Sequence, residues 1–239
     1  MPRNLEYPGA GGVGDWDSLY RARGDDVQPH RSVFTGDAFI DVEVQGVGET
    51  TVQSVMVLQH PCALRHDGVN LQPRLIVAEL REHPIIPPHE WTKHFRKMPL
   101  PELIPTDTAG TRNQAAFFSD VYLASPDALA AGTRVACLSQ TGVNLLVQRW
   151  VHHNSRVVVP TWQYQEVTSA AFEEADLIEE WCDDQVGTEV SIQEATVEAM
   201  KWLRENAGGG VMRQAMLDNP QNRSTVRKEM RAKLRSLHG

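Results

Sequence analysis

The chain has 239 residues, of which 41% are hydrophobic and 23% are charged, and its formal net charge is −8 at pH 7. This composition supports a packed core and excludes global disorder, while no apolar run approaches the ~18 residues of a membrane span. Three widely separated cysteines exclude a four-cysteine zinc site and a disulfide framework. We therefore expect a cytoplasmic protein that has no membrane segment, no metal site and no cofactor.

Residues 1–31 contain five glycines and three prolines, and we interpret them as a flexible N-terminal arm. Within this arm, "GAGGVG" (9–14) matches the glycine pattern of dinucleotide-binding loops. That motif needs a strand before it and an amphipathic helix after it, whereas here Pro8 precedes it and no long apolar stripe follows. The sequence therefore favours an arm over a cofactor loop.

Residues 32–167 have the pattern of short strands. In "AFIDVEV" (38–44), Ile40, Val42 and Val44 alternate with polar residues, as in a half-buried strand. The other segments that read as strands are 51–59, 74–80, 117–123, 133–140, 143–151 and 155–160. The Thr141-Gly142 step reads as a hairpin turn. Seven short strands without long intervening helices predict an antiparallel β-barrel.

A proline-rich insertion, residues 83–105, interrupts these strands. Its "HEWTKH" segment differs from the zinc-protease motif, because His89 and His94 are five residues apart instead of four. At ~100° per residue they would lie on different sides of a helix and could not chelate one ion. We expect no metal site here.

After Val167 the pattern becomes helical. Residues 168–210 form an acidic helical region, in which positions 172–184 contain seven carboxylates and no base. Ser191 and Glu194 have capping-box spacing at the start of its second helix. Residues 211–239 form a basic amphipathic tail, whose last helix carries one apolar stripe. The stripe consists of Val226, Met230, Leu234 and Leu237. The predicted fold is mainly β with a helical extension (α+β).

The first candidate site is the corner in "VMVLQHPCALRHDG" (55–68), where His60, Cys62, Arg65 and His66 follow a strand. A Cys62 thiolate activated by His60 would be a nucleophile, and Arg65 and His66 could bind a substrate. Imidazole and thiolate are also zinc ligands, but no second ligand pair with zinc spacing exists. A buried strand end with a satisfied histidine remains the structural alternative.

Two further clusters could bind ligands. In "VQRWVHHNSRVVVP" (147–160), Arg149 and Arg156 could hold phosphates while Trp150 or His153 stacks on a base; a hairpin with solvated cations is the alternative. The tail offers basic residues for an acidic protein groove, and residues 173–184 of this or a second copy are the simplest candidate. These tail residues are Arg227, Lys228, Arg231, Lys233 and Arg235.

Three pieces of the chain together resemble the small SH3-like barrels of the MazF/PemK toxin class. They are "GDAFIDVEV" (36–44), "QSVMVLQHPCALR" (53–65) with "PRLIVAELRE" (73–82), and "GTRVACLSQTGVNLLVQRWV" (132–151). The resemblance implies an SH3-like antiparallel β-barrel followed by C-terminal helices. It also implies that the corner at residues 60–65 faces a ligand, which in that class is RNA.

From these features we expect a binding or regulatory module of bacterial or phage type. It would engage a protein partner, or a second copy of itself, through the barrel corner and the C-terminal helices. An enzyme is the alternative: a MazF-like RNA endonuclease that uses His60, Arg65 and His66 as acid, base and charge stabiliser. A hydrolase that depends on the Cys62 thiol is a weaker alternative, and nucleic acid is a further candidate ligand.

Overall fold

The computed structural model describes residues 4–8, 16–46, 48–104 and 112–237. Within these residues the chain forms an antiparallel sheet and a set of helices, so the fold class is α+β. The strands are β1 (Tyr20–Arg23), β2 (Ala38–Gln45), β3 (Thr50–Val57), β4 (Leu75–Glu82), β5 (Lys97–Ile104), β6 (Arg112–Ala124) and β7 (Thr133–Leu138). The helices are α1 (Pro126–Ala131), α2 (Gln140–Ser155), α3 (Thr161–Asp184), α4 (Ile192–Arg204), α5 (Arg213–Met216) and α6 (Pro220–Leu237).

The chain divides into two compact units, which we describe separately. Unit 1 comprises the described residues of Met1–Gln28, Phe34–Leu64 and Leu71–Glu166. Unit 2 comprises those of Pro29–Val33, Arg65–Asn70 and Val167–Gly239. No helix in the described part of the chain is both long enough and apolar enough to cross a bilayer.

Unit 1 contains the seven-stranded sheet, in the order β1-β7-β2-β3-β4-β6-β5. Strand β2 also pairs with β6, where Gln45 lies opposite Leu123. The predicted alternation in β2 holds for Val42 and Val44, which are fully buried. A register shift between Phe39 and Val42 interrupts it earlier in the strand, where Asp41 has a φ of 58°.

The strands predicted at 143–151 and 155–160, and the hairpin turn at Thr141-Gly142, are wrong. This region is helix α2, and the Ser139 side chain caps its start by accepting a hydrogen bond from the Gly142 N–H, 3.1 Å away. All residues from 142 to 149 are buried, so the helix has no exposed face over this stretch. The 3.6-residue periodicity that identifies a surface helix was therefore missing from the sequence.

Two regions that we did not predict as strands contribute strands to the sheet. β5 lies within the proline-rich insertion, and it is an edge strand, where Pro99 and Pro101 need no N–H for a second neighbour. β1 lies within the expected N-terminal arm and pairs with β7. The glycine motif at 9–14 lies outside the described residues.

Unit 2 is built around helical segments, as predicted for residues 168–210 and for the tail. Its core packs Trp181 against Trp202, with ring centroids 5.7 Å apart. The capping box at Ser191 and Glu194 is confirmed, and the helix that it starts, α4, ends at Arg204. In α6 the stripe is buried at Val226, Met230 and Leu234, whereas Leu237 is exposed.

Candidate functional site

The corner at His60 is a hydrogen-bonded turn. Strand β3 ends at Val57, and Pro61–Ala63 form a single 3-10 turn. The Nδ1 atom of His60 accepts a hydrogen bond from the Cys62 backbone N–H, 3.3 Å away, and burial lowers the pKa of His60. His60 is therefore neutral at pH 7, and its Nδ1 lone pair is used by the backbone instead of by the exposed Cys62 thiol.

The four residues predicted for this corner are divided between the two units. His60 and Cys62 belong to unit 1, whereas Arg65 and His66 belong to unit 2. His66 lies 3.7 Å from the carboxylate of Asp67, and burial lowers the pKa of Arg65. Because His60 belongs to one unit and Arg65 and His66 to the other, the RNA-cleaving alternative that combines these three residues stays a prediction.

The basic tail meets the acidic helix within unit 2 of the same chain. Arg227 forms ion pairs with Glu173, at 2.7 Å, and with Glu180, and Arg231 lies 2.6 Å from Glu180. The exposed residues Lys228, Lys233 and Arg235 form no ion pair within the described part of unit 2. The acidic segment therefore neutralises two of the five predicted tail residues.

Arg149 does not face solvent as predicted. Its side chain is fully buried, and its guanidinium donates hydrogen bonds to the backbone carbonyls of Leu145 and Glu6. It also lies 5.2 Å from the centroid of the Trp91 ring. An arginine in this position supports the packing of α2 and does not present its charge to a phosphate.

The other three residues predicted in this segment lie together at the C-terminal end of α2. Trp150 and His153 stack with ring centroids 6.0 Å apart and an interplanar angle of 10°. The ring centroids of Trp150 and His153 lie 5.5 and 5.8 Å from that of the buried Phe118 of β6, both in an edge-to-face arrangement. Three residues make nearly one turn of a helix, so α2 brings these two rings together, which the predicted strand would not have done.

Arg156 ends α2 in the left-handed conformation, with a φ of 62°, and its guanidinium carbon lies 4.6 Å from the centroid of the Phe95 ring. Arg96 approaches the same ring at 5.7 Å, and the edge of His152 contacts it at 5.6 Å. Within the described chain, neither exposed arginine forms an ion pair. We call this set the cationic–aromatic surface. It consists of Phe95, Arg96, Phe118, Trp150, His152, His153 and Arg156.

The electrostatics of this surface favour a neutral imidazole beside free guanidinium groups. Burial lowers the pKa of His153 most, and the charges of Arg156 and Arg96 lower it further. A neutral His153 stacks on Trp150, beside the two positively charged guanidiniums. Planar rings and guanidiniums stack on bases, and guanidiniums bind phosphates in a bidentate manner.

The sequence did not reveal that Phe95 and Arg96 belong to this surface. They are more than fifty positions from Arg156 in the chain, and they lie in the proline-rich insertion, where the sequence predicted no binding site. The adjacent aromatic and basic residues in "HFRK" (94–97) were the available signal. Among the described residues, no group of three histidine, cysteine or carboxylate side chains could hold a metal ion.

No protein-family model matches the sequence, and no curated protein matches it.

Proposed function

We propose that the protein is a binding module whose unit 1 takes single-stranded RNA on the cationic–aromatic surface. The observation that carries this proposal is the pair of exposed arginines over Phe95. They form no ion pair with the described residues and lie beside the Trp150–His153 stack. Aromatic and guanidinium planes together with free positive charge are the usual components of single-strand binding sites.

A second argument supports an SH3-like barrel as the scaffold. Strands β2, β3, β4 and β6 are consecutive neighbours in the sheet, and β6 pairs again with β2 through Gln45 and Leu123. Such a return of the last strand to the first is the pairing that closes a small barrel. The resemblance to the MazF/PemK class, whose ligand is RNA, agrees with this scaffold.

Fluorescence anisotropy with a labelled single-stranded RNA tests the proposal. We expect Trp150→Ala to weaken binding by about 1–3 kcal/mol if a base stacks there. Arg156→Met should weaken binding and reduce the slope of log K against log salt by ~0.7, since one phosphate contact is lost. Arg74→Met removes an exposed positive charge elsewhere in unit 1 and serves as the control, with unchanged affinity. Equal effects of Arg156→Met and Arg74→Met would contradict the proposal.

Analysis of the same RNA on a denaturing gel distinguishes binding from cleavage. Intact RNA after prolonged incubation is the result expected of a binding module. Cleavage that His60→Ala abolishes would favour the endonuclease alternative instead.

A protein partner for the tail is a second proposal, and it is supported by the exposed cations of α6. Because Val226, Met230 and Leu234 are part of the core of unit 2, deleting the tail would disrupt that unit. Replacing Lys228, Lys233 and Arg235 by glutamine leaves the buried stripe intact. Loss of capture of an acidic protein by this variant, with Ser224→Gln as the control, is the expected result.

A further inference from the structure

A second cationic cluster lies on the other face of β6. Phe117 precedes Phe118, and successive residues of a strand point to opposite faces of the sheet. Phe117 lies opposite Lys97 of β5 and opposite Glu79 of β4 in the ladder. Around its half-buried ring are Arg81, His83 and Lys97, so this cluster is separate from the Trp150–His153 stack.

The side chains of Lys97 and His83 hold each other in a defined arrangement. The Lys97 ammonium donates a hydrogen bond to Nε2 of His83 over 2.7 Å, because an ammonium group can only donate. Nδ1 of His83 then carries the ring hydrogen and donates a hydrogen bond to the Pro84 carbonyl oxygen, also over 2.7 Å. The Lys97 ammonium is thereby held 5.2 Å from the centroid of the Phe117 ring, with two of its three N–H groups unused by His83.

The charge of Arg81 is neutralised within this cluster, whereas that of Lys97 is not. Arg81 forms an ion pair with Asp120 and lies 3.5 Å from Glu79, whereas Lys97 forms no ion pair with a carboxylate of the described chain. Burial, followed by the charge of Arg81, lowers the pKa of Lys97. The half-buried ammonium therefore lies in a site where an additional negative charge would be stabilising.

We propose that Lys97 and His83, with Arg81 beside them, form a binding site for a phosphate group. A compact ammonium with two free donors binds a phosphate oxygen as a point charge. The half-buried position over an aromatic ring strengthens that contact, because the site is partly shielded from water. The phosphate comes either from the backbone of a nucleic acid or from a small phosphomonoester, and only the first source rests on the function proposed above.

The position of β5 makes a backbone phosphate compatible with the cationic–aromatic surface. β5 is an edge strand, and Lys97 follows directly after Phe95 and Arg96. The Arg96 carbonyl accepts a hydrogen bond from the Phe118 N–H, 3.0 Å away, which fixes this segment against β6. A nucleic-acid strand that passes over the sheet edge at residues 95–97 would meet Arg96 and Arg156 on one side and Lys97 on the other.

Nitrogen-detected NMR of the full chain, labelled with ¹⁵N-histidine, tests the site directly. We expect inorganic phosphate and adenosine 5′-monophosphate to shift the Nε2 resonance of His83, because the phosphate competes for the Lys97 ammonium. Lys97→Met should weaken this binding at least about tenfold, which corresponds to ~1.4 kcal/mol. Lys97→Arg keeps the charge and should retain part of the affinity, while Lys93→Met removes an exposed charge nearby and should change nothing.

The choice of ligand separates this inference from the proposed function. If an eight-nucleotide oligoadenylate shifts His83 as well, and Lys97→Met weakens its binding, the site takes a backbone phosphate. If phosphate and adenosine monophosphate shift His83 while the oligonucleotide does not bind, the site takes a free phosphomonoester and RNA binding is refuted. An unshifted His83 with every phosphate, or equal affinities of the wild-type protein and Lys97→Met, overturns the inference.

Discussion

Substitution of the buried Arg149 provides the sharpest test of whether its charge is structural. Burial lowers the pKa of this guanidinium well below its ordinary value, to about 9. This difference corresponds to roughly 5 kcal/mol against the charged form in the folded protein. The two hydrogen bonds to the carbonyls of Leu145 and Glu6 offset the cost by about 1.5–3 kcal/mol each, the range for charged donors.

Because these contributions nearly cancel, Arg149→Met should change the free energy of unfolding by less than about 2 kcal/mol. Methionine keeps most of the side-chain volume beside Trp91. Arg149→Ala also opens a cavity there, and truncation of a buried side chain costs about 2–5 kcal/mol. The measurement is urea unfolding followed by tryptophan fluorescence.

The refuting result is equal destabilisation by Arg149→Met and Arg149→Ala. It would mean that the hydrogen bonds to the two carbonyls, and not the volume of the side chain, determine the contribution of Arg149. A correctly folded Arg149→Met variant should also bind RNA as the wild-type protein does. Loss of RNA binding in that variant would contradict its assignment as a packing residue.

Three further results are expected. Burial lowers the pKa of His60, His94 and His153 below the ordinary 6.5, so the folded protein favours their neutral forms. The free energy of unfolding of unit 1 should therefore be largest above pH 6.5 and should fall as the pH drops from 6.5 toward the lowered pKa values. An equal urea midpoint at pH 7.5 and pH 5 would contradict this expectation. Gly142→Ala should destabilise by about 1–3 kcal/mol, since its Cβ would lie 2.2 Å from the Leu19 carbonyl oxygen, whereas Gly208→Ala, with open space around it, should have little effect in the same unfolding experiment. Ser191→Ala removes the capping box of α4 and should cost about 1 kcal/mol, measured by thermal unfolding; a smaller loss than that of the exposed Ser224→Ala would argue against the cap.

Helices α4 and α6 of unit 2 could be predicted from the sequence because each has both an apolar face and a polar face. Ser191 and Glu194 gave the start of α4, and Val226, Met230 and Leu234 gave the buried side of α6. Helix α2 could not be predicted in this way. Its residues 142–149 are all buried, the polar ones included, and a segment that lacks an exposed polar face is equally compatible with a buried strand.

The glycine of the Thr141-Gly142 step illustrates the same limit. A glycine between two apolar runs is typical of a hairpin, so the sequence favoured a turn. The structure shows a different requirement, since the Leu19 backbone approaches Gly142 too closely for any side chain. That approach depends on residues more than a hundred positions away, and no local pattern could have revealed it.

The candidate surface was only partly predictable for a related reason. Arg149 and Arg156 look equivalent in the sequence, seven residues apart and close to Trp150. Arg149 is fully buried within the packed part of α2 and Arg156 is exposed on Phe95, and this difference follows from tertiary packing. The pairing of Trp150 with His153 needed a helix, which the local pattern did not indicate.

The distribution of ion pairs is the strongest physical argument for a ligand of unit 1. The chain carries eight more negative than positive charges, so carboxylates are plentiful, and in unit 2 they neutralise Arg227 and Arg231. In unit 1, Arg96 and Arg156 have no carboxylate partner among the described residues although both approach the ring of Phe95. Adjacent positive charges repel each other, and stability alone would be better served by pairing them. Such a group is stabilised when an anion binds, so a phosphate-bearing ligand accounts for an arrangement that the folding of the chain does not require.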